Sequence, residues 1–310
     1  MTKSRSILVG VAVAAFIFAG ATIAHLLRDP LPHFLERRSA LARIVPSPPT
    51  VDGGYLSEPI RLVASSGLAV DLMVRRPTAH TAARLPVVVI LGGHYTGRDA
   101  VKLLGDVPGV MIAALSYPFT GDPRPSAATF LREIPKIRAA FLDTPPAVML
   151  ALDYLLSRSD VDSTRVEGLG VSLGAPFMCV AGALDTRFTR VWALHGSGGS
   201  YVPLEANMRR TIHSAILRVP AAVLANTIIA GPRLDPIHWV PKISPRPFMM
   251  VNALGDERLP RKAVDALFKS AREPKEMIWM PGAHIHADSA TVRRLVEIVL
   301  ARVRGDGAAQ

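Results

Sequence analysis

Val166-Glu167-Gly168-Leu169 reads as a short strand, Ala175–Leu184 as an apolar helix, and Gly170-Val171-Ser172-Leu173-Gly174 joins the two in five residues. A strand that becomes a helix over so short a distance brings backbone against backbone, which calls for neighbours without side chains, and Gly170 and Gly174 supply them. A serine at the apex of that turn holds its hydroxyl out at the sheet edge, and the Leu173 N–H beside it faces the place where negative charge would develop on a bound carbonyl. Pro176 is compatible, because the first turn of a helix tolerates proline. The five-residue pattern alone arises by chance in about one chain in ten of this length. The strand before it and the helix after it are what give it weight.

The same alternation continues on either side. Ile60–Ala64 and Ala69–Val74 flank Ser65-Ser66-Gly67 as a hairpin, and Pro86–Leu91 and Val110–Leu115 are apolar runs expected to be buried on both faces. Asp99–Asp106 can form a helix, and Asp143 or Thr144 can cap another over Pro145–Ser157. Val191–Leu194, Pro247–Ala253 and Glu276–Met280 read as further strands, with helices over Pro260–Ala271 and Ser289–Val303. Strand and helix in turn over residues 55–304 predict one α/β domain with a mainly parallel sheet. Residues 201–239 interrupt the pattern with amphipathic stretches at Glu205–Leu217 and Val219–Ile229, expected as a small helical cap; the alternative is an ordinary crossover with one long helix.

A serine at its free pKa needs a base, and the base needs an acid to orient it. Asp256 follows the strand at Pro247–Ala253, and His284 follows the strand at Glu276–Met280, so acid and base come in that order after the serine, each at a strand end. Asp256 is preferred to Glu257 as the residue nearer the strand. His284 is preferred to His286 because the Pro281-Gly282-Ala283 turn puts it at the loop tip. The second backbone donor for an oxyanion is expected from Gly92-Gly93-His94, just after an earlier strand, with the His94 N–H as donor. His284-x-His286-x-Asp288 has the spacing of part of a zinc site, but no supporting His or Cys pattern accompanies it, so neither a metal nor an organic cofactor is expected. Cys179 reads as small core filling; His195, ending a strand, and His213 and His238, in or beside the cap, read as ordinary polar residues, with contact to substrate as the alternative.

The 310 residues are 49 % hydrophobic and 20 % charged, enough for a sizeable core, and a single cysteine excludes an intramolecular disulfide. The net charge of +11 is spread in isolated pairs such as Arg37–Arg38 and Arg293–Arg294, which fits solvated surface or attraction to anionic lipid and not nucleic-acid binding. Lys3 and Arg5 precede an apolar run from Ile7 to Leu27, about the length that crosses a bilayer. Residues 1–27 are expected as an uncleaved membrane anchor or as a signal peptide cut near Ala19-Gly20-Ala21, with a buried core helix as the remaining alternative. Charge on the two flanks is nearly balanced, and an exported catalytic domain is the favoured orientation. Residues 28–54, with five prolines and Gly53–Gly54, are expected as a linker holding a short helix around Pro32–Ile44, and residues 305–310 as a tail.

With Asp235-Pro236-Ile237-His238-Trp239-Val240-Pro241-Lys242-Ile243-Ser244-Pro245-Arg246-Pro247, these motifs resemble the bacterial α/β-hydrolases related to dienelactone hydrolase, acetyl xylan esterase and acylaminoacyl peptidase, from about Tyr55 to Val303. The resemblance implies an α/β-hydrolase fold, Ser172, Asp256 and His284 as a triad, and His94 and Leu173 as oxyanion donors. Many such proteins carry a histidine before the first glycine of the oxyanion loop, where this chain has Gly92. The expected activity is that of a serine esterase acting on a small-molecule ester. A peptidase or amidase of the acylaminoacyl-peptidase type and a catalytically silent membrane-tethered binding protein are the alternatives. The sequence leaves acyl and alcohol specificity and oligomeric state open.

Overall fold

Residues 20–79, 83–93, 96–102, 105–284 and 289–303 are described by the computed structural model of the chain. Strands β1 (Leu41–Pro46), β2 (Thr50–Asp52), β3 (Tyr55–Ala64) and β4 (Ala69–Pro77) pair antiparallel around β3. Ile60 lies opposite Leu72 and Leu62 opposite Val70, so every second residue of the hairpin enters the core, which is the period of a pleated strand. Strands β5 (Leu85–Leu91) and β6 (Met111–Leu115) are buried at every position. With β7 (Val161–Val171), β8 (Arg190–Leu194), β9 (Phe248–Ala253) and β10 (Lys275–Met280) they form the parallel part of one sheet. The order is β1-β3-β4-β6-β5-β7-β8-β9-β10, with β2 beside β3.

The helices are α1 (Leu31–Arg37), α2 (Ala127–Leu156), α3 (Gly174–Leu184), α4 (Tyr201–Met208), α5 (Ala215–Ile228), α6 (Arg261–Ser270) and α7 (Ser289–Val303). Alternation along the strands sorts them onto two faces. Val87, Val89, Met111, Ala113 and Phe248 pack in one core with residues of α2, α3 and α6, whereas Val88, Ile90, Ile112, Trp192 and Met249 pack in the other with Leu295 and Val299 of α7. Coverage of both faces is why these strands read as unbroken apolar runs. Length and hydropathy would let Ala128–Leu156 cross a membrane, but 67 % of its apolar window is buried, so its composition serves the core.

Residues 28–54 are not a linker. Phe34 of α1 is fully buried, 6.1 Å from the Trp239 ring, and β1 is an edge strand on β3. Arg37 clamps Asp143 of α2 through Nε at 2.9 Å and Nη2 at 2.7 Å, and Arg37 Nη1 donates to Ser66 O. A two-turn helix and an edge strand bury little, so their sequence keeps the polar, proline-rich look of a connection. Asp143 accordingly does not cap a helix. α2 begins eighteen residues before Pro145, where Ser126 Oγ accepts the Thr129 N–H at 3.2 Å, and it runs through Pro135, Pro145 and Pro146. The helix expected over Asp99–Asp106 is a short 3₁₀ segment, Gly97–Lys102. Between β8 and β9 the helical break falls at 209–214 and not at Arg218, because Arg218 is buried against Glu205 at 2.6 Å. Residues 1–19 and the tail at 305–310 lie outside the described residues.

Burial pushes the Asp143 carboxyl up, and the hydrogen bonds from His33 and Arg37 more than offset this, holding it below the usual carboxylate range. A depressed folded-state value contributes stability that is present above the unfolded value of about 3.9 and lost as pH falls through the folded one. Asp143→Ala should therefore cost about 2 kcal/mol at pH 7, with the gap to the unsubstituted protein shrinking as pH is lowered below about 4. Urea melts of both proteins at the two pH values check this, and a gap independent of pH would show that the charge is not what holds α1.

Candidate active site

Ser172 has φ +52°, a left-handed conformation that costs a residue with a Cβ about 1–3 kcal/mol and persists only where its surroundings enforce it. The enforcement is visible. Ser172 N–H donates to Leu194 O of β8 at 2.8 Å, and Ala175 N–H turns back to Ser172 O at 3.1 Å. A Cβ on Gly174 would lie 2.0 Å from Leu91 O, and one on Gly170 would lie 2.6 Å from Ala175 Cα. β5, β7 and α3 meet backbone to backbone here, which is the close approach the sequence of the turn requires.

Asp256 and His284 arrive from the ends of β9 and β10. Leu254 N–H donates to Met280 O and Gly255 N–H to Gly282 O, both at 2.9 Å, so the two loops are laced together just past the sheet. Ser172 Oγ lies 2.9 Å from His284 Nε2, and His284 Nδ1 lies 2.7 Å from Asp256 Oδ2. Asp256 Oδ1 accepts the backbone N–H groups of Arg258 and Leu259, each at 2.9 Å. Burial pushes the Asp256 carboxyl up, but hydrogen bonds from His195 and His284, the charge of His284 and the Arg258 N–H outweigh it and hold the carboxyl far below the usual range. An ionised Asp256 only accepts, so His284 Nδ1 carries the proton and Nε2 is left to accept from the Ser172 hydroxyl. Glu257 takes no part in that line: its Oε2 accepts the His284 backbone N–H at 2.9 Å.

His195, expected as an ordinary polar residue, joins this group. It follows β8 at φ +48°, is almost wholly buried, and its Nδ1 lies 3.0 Å from the same Asp256 Oδ2. Its ring stands edge-on to that of His284, with centroids 4.9 Å apart. His195 Nε2 is buried and has no hydrogen-bond partner among the described residues. The available signal was its place at the end of a parallel strand, the same sheet edge that carries Ser172, Asp256 and His284. His195, Asp256 and His284 bring ligand-type atoms within 4.8 Å of one another. The arrangement is two N–H donors on one carboxylate oxygen, and a metal held there would have to displace both protons and part His284 from Asp256. His286, Asp288 and His94 lie outside the described residues.

Leu173 precedes the first turn of α3, so its N–H has no intrahelical acceptor. Leu91 pairs with Gly170, which brings the start of the loop after β5 beside the serine, and Tyr117 Oη donates to Gly92 O at 2.7 Å to hold it there. Ser172, Leu173, His195 and His284 line one wall of a cavity of about 380 Å³. Its other walls are mostly apolar, with Phe141, Phe177 and Leu259, and with Pro203, Leu204, Ile229 and Leu234 from the segment between β8 and β9; Ser197, Ser200, Asn207 and Arg258 add polar groups. His213 and His238 are exposed and do not line it. Cys179 is core filling as expected, its thiol pushed up to about 12 by burial.

No family profile matches the chain. Among curated proteins it is 28 % identical over 147 residues, 45 % of either chain, to the uncharacterized protein YfhR of Escherichia coli O157:H7, and 28 % identical over 152 residues to that of Salmonella typhimurium, so it spans about half the length of the relatives it matches. Among solved structures, the acetyl xylan esterase of a Paenibacillus species superposes at TM-score 0.60 with 18 % identity, covering 85 % of this chain and 90 % of that one. Acetyl xylan esterase 1 of a Thermoanaerobacterium species does so at 0.62 with 13 % identity, covering 89 % and 94 %. A strand order with one antiparallel hairpin leading a parallel sheet, a strained serine between β7 and α3, and these superpositions agree: the chain has the fold of the α/β-hydrolase superfamily.

Proposed function

We propose that the protein is a serine hydrolase that cleaves a carboxylic ester through an acyl-enzyme. What supports the reading most is the unbroken line of hydrogen bonds from Ser172 through His284 to Asp256, 2.9 Å and 2.7 Å long, at the wall of an apolar cavity. Ser172 Oγ attacks the ester carbonyl carbon while His284 Nε2 takes its proton, and the carbonyl oxygen, now negative, is held by the Leu173 N–H and by the His94 N–H. The tetrahedral species collapses, the C–O bond to the alcohol breaks, and His284 returns the proton to the departing oxygen. Water then repeats the sequence on the acyl-serine and frees the acid. Asp256 holds the imidazole in the required tautomer throughout. The chemistry calls on no organic cofactor and no metal.

The cavity points to an apolar acyl or alcohol group. Its 380 Å³ has room for about a dozen water-sized groups. Each methylene buried there adds up to ~0.8 kcal/mol, roughly fourfold in kcat/KM. Residues 1–27 are proposed to hold the enzyme at a membrane or lead it through one, as a basic leader before an apolar run would. An exported catalytic domain is the orientation favoured.

Ser172→Ala should lower ester turnover by about 10⁴-fold or more and abolish labelling by a fluorophosphonate; labelling that survives the substitution would remove the assignment. Asp256→Asn should cost on the order of 10⁴-fold by favouring the wrong tautomer, whereas Glu257→Gln, which keeps a side-chain oxygen to accept the His284 backbone N–H and loses only the charge, should cost less than about tenfold. Because Asp256 is held ionised far below the usual carboxylate range, its protonation should add no step of its own to the acid side of the kcat/KM profile. A pH profile of kcat/KM that rises with slope two on the acid side would contradict this.

A further inference from the structure

Helix α5 is built inside out. The residues it buries are Arg218, Ala222 and Asn226, a stripe at every fourth position. Ile216, Leu217, Val219, Val223 and Leu224 face away from the protein, with exposures from 43 % to 86 %. A helix on a water-facing surface carries the opposite arrangement. Its polar stripe is occupied from within: Arg218 donates to Glu205 at 2.6 Å and to the carbonyls of Ile212 and His213 at 3.1 and 2.8 Å. Those bonds hold α5 with its apolar side outward, and five neighbouring aliphatic side chains make a patch that marks an interaction surface.

Two observations say what covers it. The first is where the N-terminal apolar run ends. Arg138 of α2 donates to Leu26 O at 2.7 Å and also to Thr227 O and Ile228 O at the C-terminal end of α5, and Arg233 donates to Leu27 O. The helical residues 20–26 therefore depart from the end of α5, with Ile23 exposed, and Phe130 and Leu131 stand exposed about two turns from Arg138 on α2. The second is charge. Arg28, Arg132 and Arg210 are exposed on or next to these same elements, as bases that meet anionic headgroups would be.

We propose that α5 seats its outer face in the headgroup–acyl boundary of an anionic bilayer, beside the N-terminal segment, as an interfacial helix. The inference takes residues 1–27 as membrane-directed and goes beyond that reading by giving the catalytic domain its own contact with lipid. α4 and the turn that follows α5 line the cavity, so docking presents the cavity roof to the lipid and makes esters dissolved in the membrane the accessible substrates.

The test uses the full chain on vesicles of phosphatidylcholine and phosphatidylglycerol. Leu217→Cys and Leu224→Cys each carry an environment-sensitive dye, and Ser163→Cys, exposed at the far end of β7 from Ser172, is the control; Cys179 is buried and does not compete. At a depth of ~5–10 Å the two α5 dyes should shift to the blue and lose at least about half their emission to lipid-borne quenchers, while the dye at 163 stays water-like. A vesicle-bound chain whose α5 dyes match the control would overturn the docking and leave the N-terminal anchor standing. Chains that do not float with vesicles remove both. A blue shift that lipid quenchers do not touch and that grows with protein density would mean a second copy covers α5, which also overturns it. Turnover of a soluble short-chain ester by the labelled proteins reads the hydrolase proposal separately.

Discussion

At Gly174 the first atoms of α3 come so near the Leu91 carbonyl that even a methyl group would lie 2.0 Å from it. That contact fixes three elements at once, because β5 contributes the carbonyl, β7 delivers the chain to Ser172 and α3 leaves from it. Ser172 can hold φ +52° only because the strand before it is locked between β5 and β8 and the helix after it cannot withdraw. The same clamp sets the loop after β5 alongside the Leu173 N–H. Proximity of the Ser172 side chain and the Leu173 N–H is thus a property of sheet packing.

The other end of the hydrogen-bonded line is governed by one carboxylate. Asp256 receives four N–H donors, two from imidazoles and two from the backbone of its own loop. Protein dipoles stand in for the water that burial removes, which is why the group stays ionised although desolvation opposes it. Two imidazoles on one oxygen also divide its capacity: what His195 draws from Oδ2 is not available to His284. The hydrogen bond that orients His284 therefore shares its acceptor with His195, the residue just after β8.

The buried strands were legible because apolar residues dominate them, and β5 to β10 fall within a few residues of where their runs predict, apart from the polar N-terminal half of β7. Ser172, Asp256 and His284 were legible because each follows such a strand, and the structure brings their side chains to hydrogen-bonding distance. His195 follows one as well, yet its sequence neighbourhood carries nothing to distinguish a buried partner of Asp256 from a polar loop residue 61 positions away. The first half of α2 was hidden by Pro135, Pro145 and Pro146, which local rules count as helix breaks and which the packing of Ala147–Leu152 overrides.

α1, β1 and α5 depart from pattern in opposite ways, and the cause is common. An apolar residue in a sequence says that water should be excluded from it, but not by what. In α1 and β1 few apolar groups are buried, so ion pairs such as Arg37–Asp143 do the fastening and the stretch looks like a connection. In α5 the apolar groups are many, and they are turned away from the rest of the protein, held so by the Arg218–Glu205 pair. Reversing that helix would turn its aliphatic side chains inward but break the Arg218–Glu205 pair and leave its charges without each other, so the outward face is not a defect that repacking would remove.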